Sequence, residues 1–136
     1  MRKLLVLLLM FSPLAFSMPT GTLSCTSADS SVYANFEISN FGLSVILGLN
    51  ELQVDGQKVD VAQAIVQRQW VDADEAKISI TVPPDNGDFD KNVVIETTSS
   101  DGSSFAGEVS IWVRELDYAS PLVNKGSNQI TCELTP

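Results

Sequence analysis

The 136-residue chain contains no histidine. That absence removes Ser-His and Cys-His nucleophile pairs, histidine-ligated zinc and imidazole general-base chemistry in one step. No Gly-x-Ser-x-Gly elbow, phosphate loop or dinucleotide fingerprint replaces them. Nothing in the chain brings two carboxylates about a glycoside, so the expectation is a protein that is not an enzyme. Basic residues are also scarce: 8 Lys and Arg stand against 17 Asp and Glu, a formal net charge of −9. Beyond Lys3 every Lys or Arg stands alone, which leaves no basic stripe for phosphate and argues against nucleic acid as a partner. With only two cysteines the chain cannot supply a four-thiolate metal site. Its one sustained apolar run, from Leu4 to Phe11, is shorter than the roughly 20 residues that a membrane-spanning helix needs.

That run carries an address. Arg2 and Lys3 precede it, Pro13 breaks the chain just beyond it, and Ala15-Phe16-Ser17 has the small-residue pattern of a cleavage site. Basic, apolar and cleavage regions in this order make residues 1–17 a secretory signal peptide, leaving residues 18–136 as one domain in the periplasm or outside the cell, with no integral membrane anchor after cleavage. Removing Arg2 and Lys3 takes two positive charges from a net of −9 and leaves −11. The two cysteines, Cys25 and Cys132, bracket most of the exported part. In an oxidising compartment their simplest state is one disulfide joining the first strand to the last, the alternative being two buried thiols.

Period-two alternation dominates from Thr22 onward. Val32, Ala34, Phe36 and Ile38 alternate with polar residues, Leu43, Val45 and Leu47 repeat the pattern, and Ile78, Ile80 and Val82 repeat it again before Pro83 and Pro84 stop the strand. Val93 to Thr97 is a further strand, Phe105, Val109, Ile111 and Val113 share one parity, and Ile130, Cys132 and Leu134 close the chain. Asp55-Gly56 between apolar runs marks a hairpin, and Asp101-Gly102 marks a turn. Residues 60–70 fit an amphipathic helix capped by Asp60 and also a strand; Val61, Ile65 and Val66 are β-branched and the neighbours are β, which favours strand. The expected fold is all-β, a single antiparallel β-sandwich or barrel of about seven to nine strands.

Two constellations stand out as candidate sites. In the acidic loop 85–92, Asp88, Asp90 and Asn92 have the alternate spacing that wraps a hard cation such as Ca²⁺, with Asp85 nearby; the same Asp, Asn and Gly content also makes an ordinary solvated turn. Val93 stands where a Ca²⁺-binding EF-hand loop needs glycine and Ser99 where it needs glutamate, so the loop is not of that type. Trp112 has the parity opposite Ile111 and Val113, and Tyr33 the parity opposite Phe36, which makes both candidates for a ligand-binding outer face unless the connection from Glu115 to Ser127 folds over Trp112. The expected function is an exported, non-catalytic binding module of the envelope or medium. Its partner would be a cationic protein, with inhibition of a basic secreted enzyme such as a lysozyme or protease as one form, or a glycan held with Ca²⁺ assistance.

Overall fold

A computed structural model describes residues 20–41, 43–83, 90–114 and 119–136. Nine strands form within them: β1 (Thr20–Ser27), β2 (Tyr33–Phe41), β3 (Leu43–Val54), β4 (Gln57–Lys58), β5 (Ile65–Val71), β6 (Glu75–Val82), β7 (Lys91–Ser99), β8 (Ser104–Arg114) and β9 (Leu122–Thr135). They make one antiparallel sheet in the order β2-β1-β9-β8-β7-β6-β5-β3-β4, and β2 also pairs with β3, so the ladder curls round and returns on itself. Neighbours in the ring are consecutive in sequence apart from the β1–β9 join and the β3–β5 step across the two-residue β4. Short connections between antiparallel neighbours favour this meander, so the fold is one curled, barrel-like sheet rather than two stacked layers.

The inner face is the alternation made physical. Ala34, Phe36 and Ile38 of β2, Ala76, Ile78 and Ile80 of β6, and Val93, Ile95 and Thr97 of β7 are all buried, while Glu37, Lys77 and Glu96, each between two of them, are exposed. Burying a side chain of this kind is worth roughly 1.5–3 kcal/mol, and a curled sheet collects that gain from every strand on one inner face. β3 departs from the expected parity. Ile46 is buried and Val45 and Leu47 are exposed, the reverse of what a plain alternation through Leu43, Val45 and Leu47 predicts. Register shifts against β2 cause this: Phe36 pairs with Leu49, Glu37 with Gly48 and Ile38 with Ile46, so the strand carries extra residues and its inward positions become Ile46, Leu49 and Leu52. Each bulge adds one residue and resets the side-chain phase.

Segment 60–70 combines both expectations. Asp60 accepts the amides of Ala62 on its side chain (3.1 Å) and of Gln63 on its carbonyl (3.1 Å), closing a single turn. From Ile65 the chain is strand. The Asp55-Gly56 hairpin forms as expected, with φ of 53° and 75° at its two central residues, the mirror-image turn that suits the twist of the strands. β6 ends at Val82, immediately before Pro83.

Two features allow the sheet to curl and close. Gly107 lies against β7 so tightly that a Cβ there would overlap the Glu96 carbonyl and come within 2.7 Å of the Thr97 Cα. Cys25 and Cys132 are register partners on β1 and β9, fully buried, and joined in a disulfide spanning 107 residues of sequence. Gly107→Ala is expected to lower unfolding stability by roughly 1–3 kcal/mol, read as a shift of the urea midpoint. Replacing both cysteines by alanine is expected to cost about 2–5 kcal/mol, and titration of the unfolded but unreduced wild-type chain should find no free thiol.

Candidate functional site

The ring has one weak join. β3 and β5 share a single register pair, Ser44 with Val71. Two residues further along β3, a side chain stands in for the ladder: the Ile46 amide donates to Gln69 Oε1 at 2.9 Å. Beyond that point β3 turns to β4, with Gln53 and Val54 paired to Lys58 and Gln57 and the Val59 amide bonded to the Leu52 carbonyl at 2.9 Å. The 59–64 segment fills the inner side of the gap, where Val59, Val61 and Ala64 pack on the core. Among the described residues no strand pairs with β5 along Ile65 to Trp70 on the side away from β6.

The outer rim of this seam is apolar. Val45 (50% exposed), Leu47 (50%), Ile65 (59%) and Trp70 (49%) supply four of the five large apolar side chains exposed among the described residues. Extending the single pair of Ser44 and Val71 by one step would set Val45 beside Trp70, with Leu47 two residues further along β3 and Ile65 at the other end of β5. On β5 a bulge at Val66/Arg68 brings Ile65, Arg68 and Trp70 to one face, where they oppose Thr81, Ser79 and Lys77.

Trp70 is held in place by its own turn. Its indole N–H donates to Asp72 Oδ2 at 2.8 Å, while Asp72 Oδ1 accepts the amides of Asp74 and Glu75, each at 2.8 Å. These bonds, led by the Asp74 amide, hold the Asp72 carboxyl below the ordinary carboxylate range. An exposed indole fixed in one orientation loses little freedom when a partner covers it. No protein-family model, curated protein or solved structure matches this chain. The seam combines an open backbone edge, an apolar rim and one oriented tryptophan.

The residues singled out from the sequence fall elsewhere. Trp112 is half-buried, its indole N–H donating to Ser110 Oγ at 3.0 Å, and it stands in register between Asn92 on β7 and Asn124 on β9. The chain expected to fold over it is, from Leu122 onward, strand β9 beside it. Tyr33 is half-buried on β2, three strands along the sheet from β8, a lateral step of about 14 Å. Following the register from Tyr33 through Thr26 and Thr131 reaches Ala106, six residues short of Trp112 and about 20 Å along the strand. The two aromatics do not form one platform.

Asp85 and Asp88 lie outside the described residues, as does the 1–17 segment. Asp90 Oδ1 is ion-paired to Arg114 Nε at 3.1 Å, and Asn92 Oδ1 accepts the Ser79 hydroxyl at 2.9 Å, so one side-chain oxygen of each is engaged within the fold. No group of three or more Cys, Asp or Glu side chains suited to a metal ion occurs among the described residues. Cys25 and Cys132 form the expected disulfide. Sequence reasoning misses Trp70, Ile65, Val45 and Leu47. Their signal is an apolar outer face in a segment flanked by turns, visible only once the bulges set the phase.

Asp29 and Asp101 repeat the turn-holding design of Asp72. The Ser31 hydroxyl and amide and the Ser27 hydroxyl bring Asp29 down from 3.8 to about 2, and the Ser104 and Ser103 amides bring Asp101 down likewise to about 2. Because all three folded-state values are depressed, the stability they contribute is present above the unfolded value and is lost as pH falls through the folded one. Urea midpoints should therefore hold down to about pH 4 and decline towards pH 2, with a smaller decline in Asp29→Asn.

Proposed function

We propose that this chain is an exported, non-catalytic binding module that takes an extended segment of a cationic partner protein along the open β3–β5 seam. One observation carries this: the single-pair join between β3 and β5 leaves a strand edge unpaired beside Val45, Leu47, Ile65 and Trp70. A sheet edge of this kind accepts an added strand through main-chain hydrogen bonds, and flanking apolar side chains give that addition its specificity. The charge of the chain supports a cationic partner, since a net −9 speeds encounter with positive surfaces over the whole molecule. Inhibition of a basic secreted enzyme is the most concrete form of this activity. A buried disulfide suits an oxidising compartment, and no helix among the described residues is long and apolar enough to cross a membrane. A glycan platform has less support, because Trp112 and Tyr33 belong to separate patches.

The test is affinity capture from envelope and extracellular extracts by wild-type protein and by the Trp70→Ala and Leu47→Lys variants, at low and high salt. A basic protein retained at low salt, released by high salt and lost with both variants is the expected result. Trp70→Ala should weaken the purified pair by about 30-fold or more while changing folding stability by no more than about 0.5 kcal/mol. Equal capture by wild type and both variants would remove the seam from the binding mechanism.

A further inference from the structure

Among the described residues, the interior of the curled sheet is left unfilled at one end. The inward parity of Phe105 and Val109 continues along β8 through Ile111 and Val113, yet the last two are only half-buried. Facing them on β9 are Gly126, opposite Ile111, and Asn128, opposite Val109. A Cβ built on Gly126 would meet nothing within 4 Å. The result is a cavity of about 380 Å³ with Val32 and Val109 as its buried floor. That volume is in the range of small-molecule sites in the mouths of β-barrels, and the lining is amphipathic: Val32, Val109, Ile111 and Val113 form its apolar part, while Asp29, Asp55, Lys91 and Lys125 bring two negative and two positive charges to it.

The rim decides what head group fits. Lys91 takes the next inward position on β7, in register with Val113 on one side and Val82 on the other. Its ammonium reaches Asp55 Oδ2 on the hairpin tip at 3.6 Å, and the lysine is the less exposed partner of the two. Asp29, also on the rim, has Oδ1 engaged by the Ser27 and Ser31 hydroxyls and the Ser31 amide. Lys91 therefore stands at the apolar wall, with Lys125 also lining the site, and among the described residues its ion pair is with an exposed carboxylate that a competing anion can replace.

We infer that this cavity binds an amphiphile with a short acyl chain and an anionic head group, such as a medium-chain carboxylic acid, its tail on Val32, Val109, Ile111 and Val113 and its carboxylate on Lys91. The site is separate from the seam, because it uses inward positions of β7, β8 and β9 and none of the outward residues of β3 and β5.

Decanoate, decanol and decyltrimethylammonium are titrated below their micelle concentrations into the oxidised protein, with amide shifts followed by ¹⁵N NMR. The expected result is saturable decanoate binding with shifts centred on Val32, Val109 to Val113 and Gly126 to Asn128. Val113→Trp, which fills the cavity, should abolish it, and Lys91→Gln should weaken decanoate about tenfold while leaving decanol unchanged. A dispersed β spectrum checks that each variant is folded, and Lys91→Gln decides the matter if Val113→Trp is not. Absence of saturable decanoate shifts at millimolar concentration, shifts centred outside the cavity, decyltrimethylammonium binding as tightly as decanoate, or decanoate binding unaffected by Lys91→Gln would each overturn the assignment.

Discussion

Closing the sheet between its first and last strands is the constraint on which the other features depend. β1 and β9 must meet although their cysteines are 107 residues apart, and six register pairs from Thr22 to Ser27 hold them together around the buried Cys25–Cys132 bond. Contacts of such long range form late and at high entropic cost, and the crosslink removes much of that cost by restricting the unfolded chain. With this join fixed covalently, the ring tolerates a poor join elsewhere. That is the β3–β5 step, held by one register pair and the Gln69 side chain. A meander without the terminal clamp and with the same weak step would have two places to open.

The strands are legible in the sequence where they pair residue for residue. β6 and β7 pair residue for residue from Glu75 with Thr98 to Val82 with Lys91, and their alternation gives the buried face correctly. β3 is not legible in this way because its phase depends on bulges against β2, and a bulge is a relation between two strands that neither sequence displays alone. The 60–70 segment is ambiguous for a different reason: Asp60 does cap a turn, but the chain then leaves it for β5, so helical and extended signals are both present in succession.

The candidate sites are less legible than the fold. Parity identifies the outer face of a strand but not what lies beside it, which is why Trp112 and Trp70 cannot be ranked from sequence. Trp112 is on a strand paired on both sides and is half-buried by its neighbours; Trp70 is on a strand paired on one side and is open. The acidic loop shows a related limit, since the oxygens of Asp90 and Asn92 meet Arg114 and Ser79, partners 24 and 13 residues away along the chain.

The open mouth results from how volume is distributed along the inner face. At the level of the disulfide the interior receives Phe36, Leu23 and Phe105 together with both cysteine sulfurs, and all are fully buried. Towards the other end the same strands offer valine, isoleucine, glycine and asparagine, which do not fill the cross-section of an eight-stranded ring. A tapering series of side chains thus fills one end more than the other, and at the less filled end β9 also carries a register shift against β8 at Ile111/Trp112. Because alternation sends successive residues to opposite faces, the mouth is lined by one parity and the seam rim by the other. Substitutions at Val113 and at Trp70 lie on different faces of different strands and share no partner, so their effects on stability should add. The two openings are thereby separable in a single chain, each accessible to change while the clamp between β1 and β9 keeps the sheet closed.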